Sequence, residues 1–368
     1  MSKKIISLLL VLVLLCGSTG CAKKIRSKPG AVQPTPQVAL ADESEAVIYT
    51  DGCGREVEIP KQITAIAASG PLSQIILFAI APEMLIGLAD EFSDNARGII
   101  PDTYFDLPCF GQLYGSASLN AESLAAAAPQ LIIDIGEAKK SIVEDMDDLE
   151  AQTQIPSIHI EATLATMPEA YRRLGSILGK EAKGEELARF CEKVYNRTVS
   201  IMEKVGDHKV NALYVLGEDG LNVLSGGSYH AEVFDLLTNN LAILDNPAAK
   251  GTGNAVSMEQ IALWNPDFIL FGPDSIYDSV SDQQVWKEIP AIQNGSYLEV
   301  PETPYNWMGM PPAVQRYLGL IWLTAALYPE YCDYDVKEDI MEYYKLFYGC
   351  TLTEDQYDAL TKNAFPVK

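Results

Sequence analysis

Asn120-Ala-Glu122-Ser-Leu124-Ala-Ala-Ala-Ala-Pro129-Gln-Leu131-Ile132-Ile133 is matched later by Ser257-Met-Glu259-Gln-Ile261-Ala-Leu-Trp-Asn-Pro266-Asp-Phe268-Ile269-Leu270. Glu, an aliphatic residue, Ala, Pro and an apolar run coincide, 137 positions apart throughout. Each copy opens on a polar residue that can accept from the free N–H groups of a helix start. Proline then stops the helix, because it lacks the N–H and clashes with the preceding turn. The apolar run that follows does not alternate, which suits a strand covered on both faces. Helix, proline and strand in that order is a common connection. The shared glutamate raises this pair above that background. Two copies so far apart predict an α/β chain of two similar lobes, each built on a mostly parallel sheet.

The flanking sequence extends the same reading. Ile63 to Ala67 is strand-like, Ser69-Gly70-Pro71 turns, and Leu72 to Ile80 is helical. In the second half Asn211 to Leu216 is strand-like, Gly226 to His230 forms a loop, and Ala231 to Thr238 is helical. Between them, Leu187, Phe190, Cys191, Val194, Val199 and Met202 recur at helical spacing over residues 181–205. One long helix there joins the lobes and permits only small relative motion, with a ligand cleft between them. The expected division is an N-terminal lobe over 46–180, the connecting helix over 181–205, and a C-terminal lobe over 206–368 that includes Tyr-rich terminal helices.

The N-terminus carries Lys3 and Lys4, an apolar run from Ile5 to Leu15, and small residues up to Cys21. This is the pattern of a secretory signal over residues 1–20. The run is too short for a mature membrane span, which needs roughly 20 apolar residues. The site resembles the bacterial lipoprotein box, with Cys21 as the acylated first mature residue, although Ser18 stands where that box usually has Leu. Residues 21–45 hold Lys-Lys, Arg-Ser-Lys-Pro-Gly and Gln-Pro-Thr-Pro-Gln, and read as a disordered tether.

The net charge of -23 argues against nucleic acid, whose binding rests on Lys and Arg meeting phosphate. Of seven cysteines, Cys16 leaves with the signal and Cys21 carries lipid. Cys53, Cys109, Cys191, Cys332 and Cys350 remain, and Cys332 and Cys350 bracket a helical stretch across which they could pair. No CxxC or His-rich pair marks a structural zinc site. No GxSxG elbow, HExxH or Walker loop marks an enzyme, and no cofactor is expected.

With the hairpin-like opening Thr50-Asp-Gly-Cys-Gly-Arg55-Glu-Val57-Glu-Ile59-Pro60, the Glu122 and Glu259 segments, Trp307-Met-Gly-Met-Pro311-Pro312 and Leu318-Gly-Leu-Ile-Trp322, the chain resembles the siderophore, haem and cobalamin class of bacterial substrate-binding proteins. The resemblance implies a binding lipoprotein outside the cell membrane that serves an ABC importer. It implies that Glu122 and Glu259 each project from a lobe tip toward an arginine of the permease. Widely spaced carboxylates can set orientation on a basic partner. Each also suits the first turn of its helix through the macrodipole.

Ligands of open α/β sheets sit at the carboxyl ends of the strands. Candidate loops are therefore Ser69-Gly70-Pro71, Gln112 to Gly115 with Tyr114, Gly136 to Lys140 with Lys139, Gly226 to His230 with Ser228 and Tyr229, and Tyr305-Asn306-Trp307. Tyr305 and Trp307 stand among prolines and could offer rigid aromatic faces, or pack inward. His230 could contact the ligand or bond a backbone carbonyl. Relatives often have Arg where this chain has Met310, which weakens the case for an anionic ligand. No set of several histidines and carboxylates marks a bare-cation site. The cargo expected first is a metal chelate, an iron–siderophore above all. Haem or cobalamin comes next. A molybdate or tungstate receptor of the same fold, and less so a surface enzyme acting on the chelate, are the alternatives.

Overall fold

The computed structural model describes residues 45–114, 118–248 and 251–366. The signal, Cys21 and the tether up to residue 44 lie outside the described residues. The described part opens on a hairpin, β1 (Ala46–Thr50) paired antiparallel with β2 (Glu56–Pro60). Asp51 makes the turn: its Oδ1 accepts from the N–H groups of Cys53 at 3.1 Å and Arg55 at 2.8 Å. Such local side-chain bonds are why Asp favours turns.

The N-terminal sheet is β3 (Ile66–Ala68), β4 (Leu131–Gly136) and β5 (Ser157–Glu161), all parallel. Its helices are α1 (Pro71–Ile80), α2 (Ala121–Ala127), α3 (Ile142–Thr153) and α4 (Met167–Leu178). The connecting helix α5 spans Glu181–Val205, the bounds its spacing predicts. The second sheet holds β6 (Asn211–Leu216), β7 (Asn222–Val223), β8 (Asn239–Asn240), β9 (Asn254–Ala255), β10 (Phe268–Phe271) and β11 (Tyr297–Glu299). Its order is β11-β10-β6-β7-β9, with β8 also on β6. Strands β6, β8, β10 and β11 pair in parallel, while β7 runs antiparallel to β6 and β9. Helices α6 (Glu232–Leu237), α7 (Met258–Trp264), α8 (Pro290–Gln293), α9 (Arg316–Leu327), α10 (Val336–Tyr348) and α11 (Glu354–Leu360) complete the chain.

The repeat is obeyed residue by residue. Helices α2 and α7 both have seven residues, and adding the offset to each bound of α2 yields those of α7. Asn120 caps α2 by accepting from Ser123 N–H at 3.0 Å, and Ser257 caps α7 by accepting from Gln260 N–H at 3.2 Å. Both end on a left-handed residue before the proline: Ala128 at φ 51° and Asn265 at φ 47°. Strands β4 and β10 then start in register with the same offset.

Alternation along the strands sorts the core into layers. Ala67 and Ile132 face outward onto α2 and α3, packing with Leu124, Ile142, Met146 and Leu149. Leu213, Val215, Ile269 and Phe271 face outward onto Ile261 of α7 and onto Trp286. The inward faces of both sheets belong to one continuous layer: Ile66, Ile133 and Ile158 from the first, Tyr214, Leu270 and Leu298 from the second, with Leu187 and Val194 of α5 between. Helix α10 joins this layer, and its Phe347 rings meet Tyr171 and Phe190. Helices α4 and α5 approach closely because Gly184 lies at their crossing, where an added Cβ would stand 2.5 Å from the Tyr171 carbonyl oxygen.

Two expectations need adjustment. The first strand is shorter than the apolar run suggests, since Ile63 lies before β3 and is buried outside it. Cys332 and Cys350 do not pair, and with Cys53, Cys109 and Cys191 they are free thiols.

Candidate functional site

The strands of both sheets end toward a common seam. Leu164, just after β5, donates its N–H to Glu232 Oε1 of α6 at 3.0 Å. Its carbonyl accepts from the Tyr317 hydroxyl at 2.6 Å. The Tyr229 hydroxyl donates to the Ala162 carbonyl. Farther along, the Phe92 and Tyr305 rings lie 6.4 Å apart. Of the residues named from strand ends, Tyr229 and Tyr305 reach this seam.

Tyr229 is held by a residue the sequence reading passed over. Arg316 opens α9 with its side chain wholly buried. Its Nη1 donates to Glu232 Oε2 at 2.7 Å and to the Tyr229 carbonyl at 3.2 Å, its Nη2 to the Tyr229 hydroxyl at 3.2 Å, and its Nε to the Ala313 carbonyl at 3.1 Å. Burial pushes the Tyr229 hydroxyl up to about 12, against the pull of Arg316. The cation missing at Met310 is thus present nearby, six residues on, but its charge is committed to Glu232.

His230 donates from Nδ1 to the Gly309 carbonyl at 2.8 Å. A carbonyl can only accept, so the neutral ring keeps its lone pair on Nε2. Burial depresses its pKa, the Gly309 bond opposes this, and Arg316 adds to the depression. Ser228 accepts from His230 N–H at 3.3 Å and shapes the turn. Ile243 is 72% exposed. It lies over the same loop, since a Cβ on Gly226 would meet its Cδ1 at 2.8 Å.

On the other lobe, Gly70 starts α1 in an extended conformation. Ser69 is buried, and its hydroxyl donates to Asp134, whose other oxygen holds His159 Nδ1 at 2.8 Å. Ser69 therefore supports the loop from beneath. Tyr114 donates to Asp145 at 2.5 Å, and Lys139 Nζ sits 3.1 Å from the centre of its ring. Burial first, and then the Asp145 bond, raise the Tyr114 hydroxyl. Burial lowers the Lys139 ammonium, with Asp134 and Glu137 opposing.

The two aromatics among prolines part company. Tyr305 is half-buried at the lobe junction beside Phe92. Trp307 is a core residue: it is wholly buried, packs edge-on to Trp322 at 6.0 Å, and its Nε1 donates to the Tyr344 hydroxyl at 3.4 Å. It offers no face to a ligand in the cleft. A hollow of about 950 Å³ beneath the hairpin, lined by Arg55, Glu58, Asp147 and Glu150, lies away from the strand ends. Arg55 is spent there on Asp51, Asp147 and Glu150.

Glu122 and Glu259 are both exposed. The Glu259 carboxyl is held below the usual range by its own backbone N–H and then by the Ser257 hydroxyl.

Residues 113–303, about half the chain, match the model of a family described as periplasmic binding protein. The chain belongs to this family. Its fold is shared by an ABC transporter solute binding protein from Sulfurospirillum deleyianum, 25% identical with a TM-score of 0.79 over 86% of this chain and 99% of that one. It is also similar to the Haemophilus influenzae molybdate periplasmic binding protein MolA, bound to molybdate, at 20% identity and a TM-score of 0.63 over 83% and 99% of the two chains. A third likeness is to the TroA-like periplasmic binding protein FepB from Veillonella parvula, at 19% identity and a TM-score of 0.64 over 83% and 97%. No curated protein matches the chain. The periplasmic binding proteins are extracytoplasmic solute carriers of ABC transporters, the class that the opening hairpin and the paired Glu segments resemble. Among the described residues no helix is long and apolar enough to cross a membrane.

Proposed function

We propose that this periplasmic binding protein captures a metal chelate, an iron–siderophore before haem or cobalamin, and delivers it to the permease of an ABC importer. The observation that carries the reading is His230. Its Nδ1 is committed to Gly309 and its ring is kept neutral by burial. That leaves an oriented Nε2 lone pair, the form in which imidazole meets metals or accepts from a donor. Tyr229, Ile243 and Tyr305 around the seam supply surface for an organic frame, Ser228 a polar contact beside them, and Gly70, Tyr114 and Lys139 polar contacts from the other lobe.

The MolA likeness favours an oxyanion as a second reading. Charge weighs against it. Arg316 is neutralised by Glu232, and Lys139 lies on Tyr114 among acids. Asp274, after β10, adds negative charge, while burial and then Asp274 raise the Glu302 carboxyl toward its neutral form.

In this reading residues 1–20 are a cleaved signal, Cys21 carries lipid and residues 21–45 form the tether, while Glu122 and Glu259 dock on permease cations. Mass spectrometry and metal analysis of protein purified from its own growth medium test the cargo. A bound iron chelate is expected. Co-purified molybdate and no chelate would replace the first reading with the second. A Glu122→Ala, Glu259→Ala variant is expected to bind cargo normally and to fail in uptake.

A further inference from the structure

An imidazole free in water carries its proton mainly on Nε2. His230 carries it on Nδ1, because that nitrogen meets the Gly309 carbonyl at 2.8 Å. Which ring nitrogen is protonated follows from the bond that the other makes. The position of one carbonyl therefore decides what the ring offers. In the observed form Nε2 is a lone pair, suited to a metal or to a donor on the cargo. In the opposite form Nε2 would be an N–H, suited to the oxygens of an oxyanion.

That carbonyl is held in place by a buried side chain. Asn306 is 1% exposed. Its Oδ1 accepts from the N–H groups of Met308 at 2.8 Å and Gly309 at 3.2 Å, and so closes the turn that carries the Gly309 carbonyl. Its Nδ2 donates to the Tyr214 hydroxyl of β6 at 3.3 Å, which ties the turn to the second sheet. Gly309 stands at φ 133°, a backbone that side chains rarely allow, and an added Cβ would lie 3.0 Å from the His230 carbonyl oxygen. Against the ring itself, a Cβ on Gly251 would lie 3.1 Å from His230 Cε1 and 3.2 Å from Nδ1. Two stretches of backbone thus flank the Nδ1 edge.

We infer that Asn306 is a positioning residue for the cargo site: by aligning the Gly309 carbonyl on His230 it holds the ring in the form with a bare Nε2, and so turns the cleft toward a metal-bearing cargo and away from an oxyanion. The inference rests on the role proposed for His230. A group that receives the second N–H of a metal-binding histidine is worth about 10–100-fold in metal affinity. Asn306 acts one bond farther out, through the turn.

The test reads the tautomer directly. The chain has three histidines, so long-range proton–nitrogen spectra of the full chain with isotope-labelled histidine contain three rings, and His230→Gln identifies one of them. His159, whose Nδ1 lies 2.8 Å from Asp134 in the other lobe, is the internal reference. In the parent the bare nitrogen of His230 should be Nε2. In Asn306→Ala it should become Nδ1 in most molecules, with the His159 signals unmoved. Asn306→Asp keeps the acceptor and should keep the parent pattern. If Asn306→Ala does not fold, Asn306→Ser, whose shorter hydroxyl cannot reach both N–H groups, carries the same expectation. A folded Asn306→Ala protein with the parent tautomer would overturn the positioning role, and so would Asn306→Asp behaving as Asn306→Ala does. Molybdate added to the parent should leave the His230 signals in place; a shift would overturn the selection against oxyanions. A purified cargo without metal, beside the expected tautomers, would overturn the reading of His230 as a metal site and leave the hold on the tautomer standing. A parent ring bare at Nδ1 would overturn both.

Discussion

Removing the Glu232 carboxylate should strand a guanidinium in the interior. Arg316 is 0% exposed and Glu232 30% exposed at their 2.7 Å contact. After Glu232→Ala, Arg316 keeps three neutral acceptors, the Ala313 and Tyr229 carbonyls and the Tyr229 hydroxyl, but no counter-charge. Breaking a buried pair on one side costs about 3–5 kcal/mol. Water reaches part of Glu232, so the lower end applies. The Leu164 N–H also loses its acceptor, which adds about 1 kcal/mol. The sum, roughly 4 kcal/mol, corresponds to a fall of roughly 5 °C in melting temperature for a body of this size. Glu232→Gln keeps one acceptor for two donors and no counter-charge, and should lose about 2–3 kcal/mol. Urea unfolding measures the loss, and hydrogen exchange at the Leu164 amide reports the cross-lobe bond separately. Pairing Arg316→Met with Glu232→Gln should recover part of the loss. A Glu232→Ala protein within about 0.5 kcal/mol of the parent would refute the reasoning, because that is the range of surface substitutions without special contacts.

Gly184→Ala should cost about 1–3 kcal/mol in the same unfolding assay, since the new methyl stands 2.5 Å from a backbone oxygen that cannot move without separating α4 from α5. Ala128→Gly should raise stability by about 0.5–1 kcal/mol, as the left-handed backbone at φ 51° is unfavourable for alanine and costs glycine nothing; a loss would mean that glycine's extra unfolded-state freedom outweighs the relief. His230 predicts a pH effect. Its folded pKa lies below 6.5, so the unfolded chain takes the proton first. The neutral ring's stabilisation is complete above pH 6.5 and falls as the pH drops through the folded value. A His230→Gln variant should show a smaller stability loss between pH 7 and 5 than the parent; equal slopes would contradict the depression.

What could be read without coordinates was what repeats or keeps a period. The Glu–Pro segments carry their cap, stop and strand within fourteen residues, so local chemistry alone fixes them. Helix α5 is long enough that its apolar spacing leaves no second choice. Strand β3 is shorter than its apolar run because Ile63 is buried in the core without being part of the sheet, and burial looks the same in sequence either way. Trp307 was ambiguous because prolines hold an aromatic equally well facing in or out. Its direction is decided by Trp322 and Tyr344, which come from the helices α9 and α10 that follow it. Arg316 was missed for the same reason. Its partner Glu232 lies 84 residues earlier, and nothing local distinguishes it from a solvated helix start. The hint was the absence of a cation at Met310, which asked for one elsewhere nearby.

The single buried layer shared by both sheets and α5 also bears on traffic at the importer. To open or shut, the lobes must shear interlocked side chains, because no slack linker can bend in their place. If Glu122 and Glu259 dock on the permease as proposed, empty and loaded copies would present nearly the same pair of carboxylates at nearly the same spacing. Both would then compete for one dock, and an excess of unloaded receptor would inhibit uptake.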